Sequence, residues 1–307
     1  MVASVRDATG SSASFSVAVA ESVLAAACGL TGLDGGDARL LRLGENALFH
    51  LPAEAAVARI ARTMDYWRDA VKEVSVSRWL NGADFPAARV HQVDGQPVEV
   101  SGHPVTFWQF INGREGSNAD IATLGSLLRR LHRMPKPVEF DLPTEDILGR
   151  VSRRIERSPV SVTDKDFLLR RFHELAEEVS ILHYPLQPGP THGDAHTGNL
   201  MFCDGRPVLI DFERFAWGHP EWDLSMIATE YLTAGWWTSA EYESFAAAYG
   251  YDVTSWAQGF PVLRAVHEIK MTTWLMQNVK ESPDIAREYR ARMQTIRGEA
   301  APAWRPF

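Results

Sequence analysis

A short polar loop in the second half of the chain carries the residues best suited to chemistry. It runs from Thr191 to Asn199 as Thr-His-Gly-Asp-Ala-His-Thr-Gly-Asn, and the apolar run 207–210 separates it from Asp211. An aspartate in such a loop can orient a substrate hydroxyl and accept its proton, and amide and carboxylate oxygens are good ligands for Mg²⁺. With Asp194 as the base and Asn199 and Asp211 as metal ligands, the loop predicts a phosphoryl-transfer centre.

The spacing within the loop matches a signature of phosphoryl transfer. His192, Asp194 and Asn199 keep the spacing of the protein-kinase catalytic loop, in which Asp stands two positions after His and four residues then precede Asn. Asp211 and Phe212 follow where that signature has an Asp-Phe pair, in which the Asp binds magnesium. We predict that the His192 imidazole bonds to the loop backbone and so holds Asp194 in place.

The same loop permits a second interpretation, as the centre of a metal-dependent hydrolase. His192, Asp194 and His196 could together ligate zinc, since imidazole and carboxylate groups are common zinc ligands. No further cluster of His or Cys at ligand spacing accompanies these three residues in the sequence. Phosphoryl transfer is therefore the favoured interpretation, and zinc hydrolysis is the alternative.

A second acidic residue lies downstream, in the run Glu221-Trp222-Asp223-Leu224. Asp223 stands at the start of a predicted apolar helix. It could hydrogen-bond back to the catalytic loop, or it could act only as a negative charge at the positive end of the helix dipole. The sequence leaves both roles open.

Length and composition are those expected of a cytoplasmic enzyme. The chain has 307 residues, of which 45% are apolar, so it can bury a sizeable core and suggests two lobes. Its two cysteines, Cys28 and Cys203, are too few for a disulfide framework, and neither a targeting segment nor a long apolar run indicates export or a membrane span. The net charge of −8 disfavours nucleic-acid binding and suits a cationic substrate.

Periodicity in the first half predicts a small antiparallel sheet of about five strands. Residues 1 to about 15 are expected to be a frayed terminus, and a helix over 15–30 should stop at Gly29 or Gly32. A second helix is predicted over 65–80. The strand-like runs are 39–43, 47–51, 55–60, 89–93, 97–100 and 105–111.

The second half is predicted to be mainly helical, with one hairpin. Only 200–210 has strand character, with its turn at Asp204-Gly205. The predicted helices are 119–133, 145–157, 163–182, 220–233, 239–249, 258–280 and 284–297. The expected fold class is α+β, a bilobal protein-kinase-like fold with a small antiparallel-sheet N-lobe at 1–111 and a larger, mainly helical C-lobe at 112–307.

Three motifs together resemble the aminoglycoside phosphotransferase and choline kinase family, a branch of the protein-kinase-like fold. They are His192-Gly193-Asp194 with Asn199, then Ile210-Asp211-Phe212-Glu213, and Trp222-Asp223-Leu224. The resemblance implies a kinase that transfers phosphate from ATP or GTP, held between the lobes, to a hydroxyl of a small molecule. It also implies Asp194 as the catalytic base and Asn199 and Asp211 as the Mg²⁺ ligands.

The resemblance extends to the nucleotide-binding parts of the family. The run 43–49, with Gly44 and Asn46, resembles its phosphate loop, although a plain hairpin turn fits almost as well. Arg59 stands where the family usually has a phosphate-binding lysine, and it keeps the positive charge and can grip two oxygens at once. Glu73 is the expected acidic partner of Arg59. Because the lysine is replaced, a nucleotide-binding pseudokinase remains an alternative.

The segment 108–111, Trp-Gln-Phe-Ile, would be the hinge whose backbone pairs with the adenine edge, and Gln109 and Ile111 are the candidate residues. In this family, acidic side chains of the helical lobe hold amino groups of the acceptor. Glu268 and Trp274 are the candidates here, since a carboxylate and a ring face both attract cations. The predicted acceptor is an aminoglycoside, another antibiotic, an amino sugar or an amino alcohol.

Overall fold

A computed structural model of the chain describes residues 15–44 and 46–306. The predicted frayed terminus lies almost entirely outside these residues. The described residues form two compact units, the first containing 15–83 and 88–111 and the second 84–87 and 112–306. An antiparallel sheet in the first unit and a mainly helical second unit confirm the predicted α+β class. Among the described helices, none has the length and apolar character that crossing a membrane requires.

The first unit is a five-stranded antiparallel sheet with two helices. Its elements are α1 (Val17–Thr31), β1 (Arg39–Leu43), β2 (Asn46–Leu51), β3 (Ala56–Ala61), α2 (Trp67–Gly82), β4 (Val98–Val100) and β5 (His103–Gln109). The strand order is β1-β2-β3-β5-β4. Buried and partly exposed residues alternate along β2 and β3, so one face of the sheet supplies Phe49, Leu51 and Ile60 to a core shared with α1. Gly32, at φ 73°, ends α1 as predicted.

The predicted strand at 89–93 is wrong. This segment makes an isolated bridge from Val90 to Trp108 and does not form a strand. The cause is a side chain that replaces a backbone partner: Gln96 Oε1 accepts from Phe107 N at 2.8 Å, and Gln96 Nε2 donates to His91 O at 2.6 Å. A regular ladder cannot continue where an amide side chain occupies its hydrogen-bonding positions.

The second unit contains seven helices and five short strands among the described residues. They are β6 (Arg114–Glu115), α3 (Ile121–Leu131), α4 (Val151–Arg157), α5 (Val162–Ser180), β7 (Gly189–Thr191), β8 (Leu200–Cys203), β9 (Arg206–Leu209), β10 (Ala216–Gly218), α6 (Glu221–Thr229), α7 (Ser239–Tyr249), α8 (Phe260–Leu275) and α9 (Pro283–Ile296). A π-helical segment, Glu230–Ala234, continues α6. The hydrophobic core of the second unit includes Trp222, Leu263 and Val266.

Two predictions for the second unit need correction. Strand structure is not confined to 200–210, because β6 pairs with β8 and β10 pairs with β7. Strands of two or three residues are too short to show alternation. The helix predicted over 145–157 begins at Val151, since Thr144 bridges to Trp217 and Glu145 N donates to Trp217 O at 3.0 Å.

Strands β7, β8 and β9 position the polar loop. β7 ends at Thr191 and β8 begins at Leu200, so the loop is fixed at both ends. The β8–β9 hairpin turns at Asp204 and Gly205, as predicted, and both residues have positive φ. Its register pairs Leu200 with Leu209, which brings the end of the loop close to the residues that follow β9.

Candidate active site

Asp223 anchors the backbone of the polar loop. Its Oδ2 accepts from His192 N at 2.7 Å and its Oδ1 from Gly193 N at 2.8 Å, while His132 Nε2 lies 2.9 Å from Oδ2. Burial acts to raise the pKa of Asp223, but the hydrogen bond and charge of His132 and the backbone N–H of His192 outweigh it, so the pKa is lowered. Of its two possible roles, Asp223 therefore performs the hydrogen bonding to the loop.

His192 ties the loop to the residue that precedes Asp211. Its side chain is buried, and Nε2 donates to Ile210 O at 2.9 Å. The predicted partner of the histidine is the backbone of the loop itself, whereas its partner in the structure is a backbone carbonyl outside the loop, after β9. Because Nε2 is occupied in this way, the zinc alternative loses one ligand atom, and the described residues contain no group of three or more His, Cys, Asp or Glu that could hold a metal ion.

Gly193 occupies a position that only glycine fits. Its φ is +79°, and a Cβ atom there would lie 2.5 Å from Arg214 O and 2.7 Å from Arg214 Cβ. A larger residue would be strained by the backbone angle and would also collide with the neighbouring segment. The close approach keeps the loop packed against the chain that follows Asp211.

Asp194 has a fixed backbone and an accessible carboxylate. Asn199 Nδ2 donates to Asp194 O at 2.8 Å, whereas the Asp194 side chain is 47% exposed. His196 Nε2 lies 3.8 Å from Asp194 Oδ2. Burial lowers the pKa of His196, although the charge of Asp194 acts to raise it. His196 is therefore mainly neutral at pH 7.

The two predicted metal ligands come from segments that are hydrogen-bonded to each other at the end of the hairpin. Ile210 N donates to Asn199 O at 3.0 Å, which places Asn199 beside the residue before Asp211. Asp211 has φ +63°, a left-handed conformation uncommon for a residue with a side chain, and its Oδ1 accepts from Glu213 N at 3.3 Å. Because the amide nitrogen of Asn199 donates to Asp194 O, the amide oxygen is the atom available to ligate a metal ion. One amide and one carboxylate oxygen form a donor set that fits Mg²⁺.

Three of the residues predicted to bind nucleotide converge in the first unit. Arg59 Nη1 forms a close ion pair with Glu73 Oε2, and the two side chains are 16% and 6% exposed. The side-chain amide of Asn46 is oriented with its oxygen toward the Arg59 guanidinium. In this orientation Asn46 Oδ1 accepts from Arg59 Nε at 3.2 Å and from Arg59 Nη2 at 2.9 Å. Strand pairing of β2 with β3 and the position of Glu73 on α2 produce this cluster.

The other predicted nucleotide residues have less distinctive surroundings. Gly44 N donates to Asn46 O at 3.0 Å in a tight turn whose middle residue lies outside the described residues. Gly44 does not have positive φ, so this turn does not require glycine there. Gln109 ends β5, and its N–H donates to Arg89 O. Ile111, the last residue of the first unit, is the better hinge candidate because the Gln109 N–H is already used.

The structure does not bring the two predicted acceptor residues to one face. Glu268 and Trp274 both lie on α8, but six residues at 3.6 per turn separate them by about 240° around the helix. Glu268 accepts from Thr233 Oγ1 at 2.7 Å, and burial raises its pKa. Trp274 is 40% exposed.

A better acidic candidate is Glu230, which sequence reasoning did not select. It begins the π-helical segment, is 5% exposed, and accepts from Trp237 Nε1 at 2.8 Å. Burial, aided by the charge of Asp194 and opposed by the hydrogen bond from Trp237, raises the pKa of Glu230 to about 7. Glu230 is therefore a buried carboxylate that interacts electrostatically with the candidate base. No signal in the sequence distinguishes this π-turn from a regular helix.

The sequence matches the model of the Phosphotransferase enzyme family over residues 37–266. No curated protein matches the chain.

Solved structures of small-molecule kinases share the fold. The amicoumacin kinase hAmiN, solved with AMP-PNP, Ca²⁺ and Ami, has a TM-score of 0.71 and 18% identity, with 91% of this chain and 93% of that chain covered. A microcompartment-associated aminopropanol kinase has a TM-score of 0.68 and 18% identity, with 91% of this chain and 94% of that chain covered. The choline kinase LicA from Streptococcus pneumoniae has a TM-score of 0.63 and 14% identity, with 92% of this chain and 99% of that chain covered.

Proposed function

Since this chain belongs to the phosphotransferase enzyme family, we propose that it is a magnesium-dependent kinase that transfers the γ-phosphate of ATP or GTP to a hydroxyl of an amino-containing small molecule. The observation that carries this proposal is the geometry of Asp194. Its backbone is fixed by Asn199, and its carboxylate is accessible. A base held in this way can orient a hydroxyl in line with a phosphate and accept its proton late in a loose transition state.

The second unit would supply the catalytic parts. Asp194 would orient the acceptor hydroxyl and take its proton, and His192 would hold the loop through Ile210. Asn199 and Asp211 would hold Mg²⁺, which neutralises negative charge on the phosphates when it is bound. The Asp223 carboxylate accepts hydrogen bonds from two backbone N–H groups of the loop, and it keeps the loop in place without any contribution from substrate.

The first unit would supply the nucleotide-binding parts. The paired Arg59 would bind phosphate oxygens, with Glu73 and Asn46 orienting the guanidinium. Ile111 would offer backbone groups to the base. The ion pair supports a working kinase over a pseudokinase, because arginine has here the acidic partner expected of the family's lysine.

Replacement of Arg59 by methionine should raise the KM for nucleotide by about 10- to 100-fold, the range expected when a charge-assisted hydrogen bond worth about 1.5–3 kcal/mol is lost. Arg59→Lys should recover most of the affinity, because it keeps the charge. The exposed Arg78 of α2 provides the matched control, and Arg78→Met should leave the KM unchanged. Equal nucleotide KM values in Arg59→Met and wild type would refute the assignment. Steady-state kinetics with varied ATP and GTP measure the effect.

Glu230 would bind the amino group of the acceptor, because it is a buried carboxylate that interacts electrostatically with Asp194. With a pKa of about 7, Glu230 gains charge as the pH rises through 7. The KM for an amino-containing acceptor should therefore fall over that range, provided that the amine stays protonated. Glu230→Gln should remove this pH dependence and raise the KM about tenfold or more above pH 7.

The pH dependence of stability gives a second measure of Glu230. Between the ordinary glutamate pKa of 4.5 and about 7, the folded chain keeps a proton that the unfolded chain has released. This residue therefore makes the free energy of unfolding fall as the pH rises through that window, and Glu230→Gln should lack this fall. Glu243→Gln, at an exposed position on α7, should resemble wild type in both assays. If the Glu230→Gln protein kept the wild-type pH profile, the role would be excluded.

A nucleotide-consumption screen tests the function as a whole. The purified chain is incubated with ATP or GTP, Mg²⁺ and a panel of aminoglycosides, other hydroxylated antibiotics, amino sugars and amino alcohols. We expect saturable turnover that depends on one acceptor class and a phosphorylated product identified by mass spectrometry. Nucleotide binding without turnover on any acceptor would instead support the pseudokinase alternative.

A further inference from the structure

A buried ion pair on α9 fixes the position of the segment that follows this helix, residues 299–306. Arg292 and Glu288 are 2% and 4% exposed, and Arg292 Nε donates to Glu288 Oε1 at 2.8 Å. The backbone of Arg305 bonds to both partners: it accepts from Arg292 Nη2 at 2.8 Å and donates to Glu288 Oε1 at 3.0 Å. A buried ion pair is favourable only when its remaining polar atoms are also hydrogen-bonded. The ion pair therefore holds the 299–306 segment in one register.

Trp304 is the residue of this segment that is most firmly attached to α9. It is 3% exposed, its Nε1 donates to Thr295 Oγ1 at 3.0 Å, and the Arg292 guanidinium carbon lies 4.8 Å from its ring centroid. The carbonyl oxygen of Trp304 accepts from Trp236 Nε1 at 2.8 Å. Because α9 fixes Trp304, this carbonyl is a fixed acceptor for the half-buried Trp236.

Trp236 belongs to the turn that surrounds Glu230. Trp236 N donates to Glu230 O at 3.0 Å, and Gly235 N donates to the same oxygen. The next residue, Trp237, donates from Nε1 to Glu230 Oε2 at 2.8 Å. A Cβ atom on Gly235 would lie 3.8 Å from the Cβ of Ala303, so the 299–306 segment also packs against the turn itself.

Contacts from outside the π-helical segment 230–234 hold this turn. A π-helical turn is rare, and it is found mostly at functional sites. Thr233 Oγ1 donates to Glu268 Oε1 on α8 at 2.7 Å. The bond from Trp236 Nε1 to Trp304 O is a second contact of this kind. The winding of the turn is therefore supported by distant parts of the chain.

We propose that Trp304, acting through Trp236, is a positioning residue for Glu230, so that the acceptor site is complete only when the 299–306 segment is docked on α9. The proposal rests on the proposed role of Glu230 in binding the acceptor amine. Trp304 need not touch substrate. It fixes the Trp236 indole, and so fixes the chain at Trp237, whose N–H orients the Glu230 carboxylate.

A segment that only covered α9 would behave differently. Loss of the Trp304 side chain would then lower the free energy of unfolding and speed hydrogen exchange in α9, but the amides of residues 235 and 236 would be unaffected. The affinity for the acceptor would also be unchanged. Exchange at the turn and the KM for the acceptor therefore separate a positioning role from a purely structural one.

Hydrogen exchange of the full chain, read by NMR at single amides, tests the contact directly. Trp236→Phe keeps an aromatic ring and removes the N–H that donates to Trp304 O. We expect the amides of residues 235 and 236 to exchange about 2- to 10-fold faster in Trp236→Phe, the range given by loss of one neutral hydrogen bond, and also faster in Trp304→Ala. Trp304→Phe, which keeps a ring beside Arg292, should recover most of the protection.

The matched control is Trp67→Phe. Trp67 is half-buried at the start of α2, in the first unit, and its replacement should leave exchange at residues 235 and 236 as in wild type. Trp236→Phe alters one half-buried side chain, so it decides the question even if Trp304→Ala does not fold.

Steady-state kinetics test whether the turn serves the acceptor. Trp236→Phe should raise the KM for an amino-containing acceptor by about 2- to 10-fold. The kcat and the KM for nucleotide should change little, because the substitution alters neither Asp194 nor Arg59. If Trp236 acts through Glu230, adding Trp236→Phe to Glu230→Gln should give no further rise in the acceptor KM.

Three results would overturn the positioning role. They are unchanged exchange at residues 235 and 236 in Trp236→Phe, faster exchange there with a wild-type acceptor KM, and effects of Trp236→Phe and Glu230→Gln on that KM that simply add. No turnover on any acceptor would contradict the kinase function instead. The exchange measurement would still decide whether the 299–306 segment holds the turn around Glu230.

Discussion

Asp194→Asn is expected to lower kcat by about 10²- to 10⁴-fold, the usual contribution of a positioned general base. The substitution preserves the shape of the side chain and the backbone carbonyl that accepts from Asn199 Nδ2. It removes only the ability to accept the hydroxyl proton. The KM for nucleotide should change little, because Asp194 is not among the proposed nucleotide ligands. Steady-state kinetics with the best acceptor of the screen, together with calorimetric nucleotide binding, measure both effects.

The matched control for this variant is Asp204→Asn. Asp204 lies in the β8–β9 turn at φ +50°, a conformation that asparagine also tolerates. The Asp204→Asn protein should retain wild-type turnover and stability. If Asp194→Asn kept full acceptor-dependent turnover, another residue would have to be the base.

Asp223→Ala should lower the free energy of unfolding by about 2–5 kcal/mol, because each buried hydrogen-bonding group left without its acceptor costs about 1–3 kcal/mol. The loss would leave the N–H groups of His192 and Gly193, and the His132 imidazole, without their acceptor. Turnover of the fraction that still folds should also fall, because the loop that carries Asp194 would no longer be held. Urea unfolding, followed by far-UV circular dichroism, measures the stability.

Acid sensitivity identifies the Asp223 contribution specifically. In the folded chain the pKa of Asp223 lies below its ordinary value of 3.8. Its contribution to the free energy of unfolding is therefore complete at pH values above 3.8, and it is lost as the pH falls through the lower pKa of the folded state. Asp223→Ala should lack this part of the acid dependence. Asp166→Ala, at an exposed position on α5, is the control and should unfold like wild type. An Asp223→Ala protein as stable as that control would show that the buried hydrogen bonds contribute little.

Local sequence chemistry was sufficient to predict the polar loop and its hairpin. The turn at Asp204-Gly205 is specified by two residues that accept positive φ, and the apolar residues of β8 and β9 flank it directly. Likewise, buried and partly exposed residues alternate along β2 and β3 because one face of their sheet is buried. In these regions the residues that decide the structure are neighbours in the chain.

The errors arose where distant residues decide the structure. The segment 89–93 is not a strand because Gln96 bonds across it, and 145–150 is not helical because Trp217 pairs with its start. The partners of Asp223 likewise come from elements far apart in sequence. Neither periodicity nor motif spacing carries information about such contacts, so the charged groups around the loop became apparent only from the fold.

The π-helical segment after α6 has a consequence for how acceptor preference can change during evolution. A turn closed by a bond from residue i+5, as from Gly235 N to Glu230 O, contains one more residue than an α-helical turn. Deleting one residue from 230–234 would restore α-helical winding and rotate the following side chains by about 100°. Asp223 lies two turns earlier and would be undisturbed. Insertions and deletions, rather than substitutions alone, therefore offer a route to new acceptors at little cost to the catalytic loop.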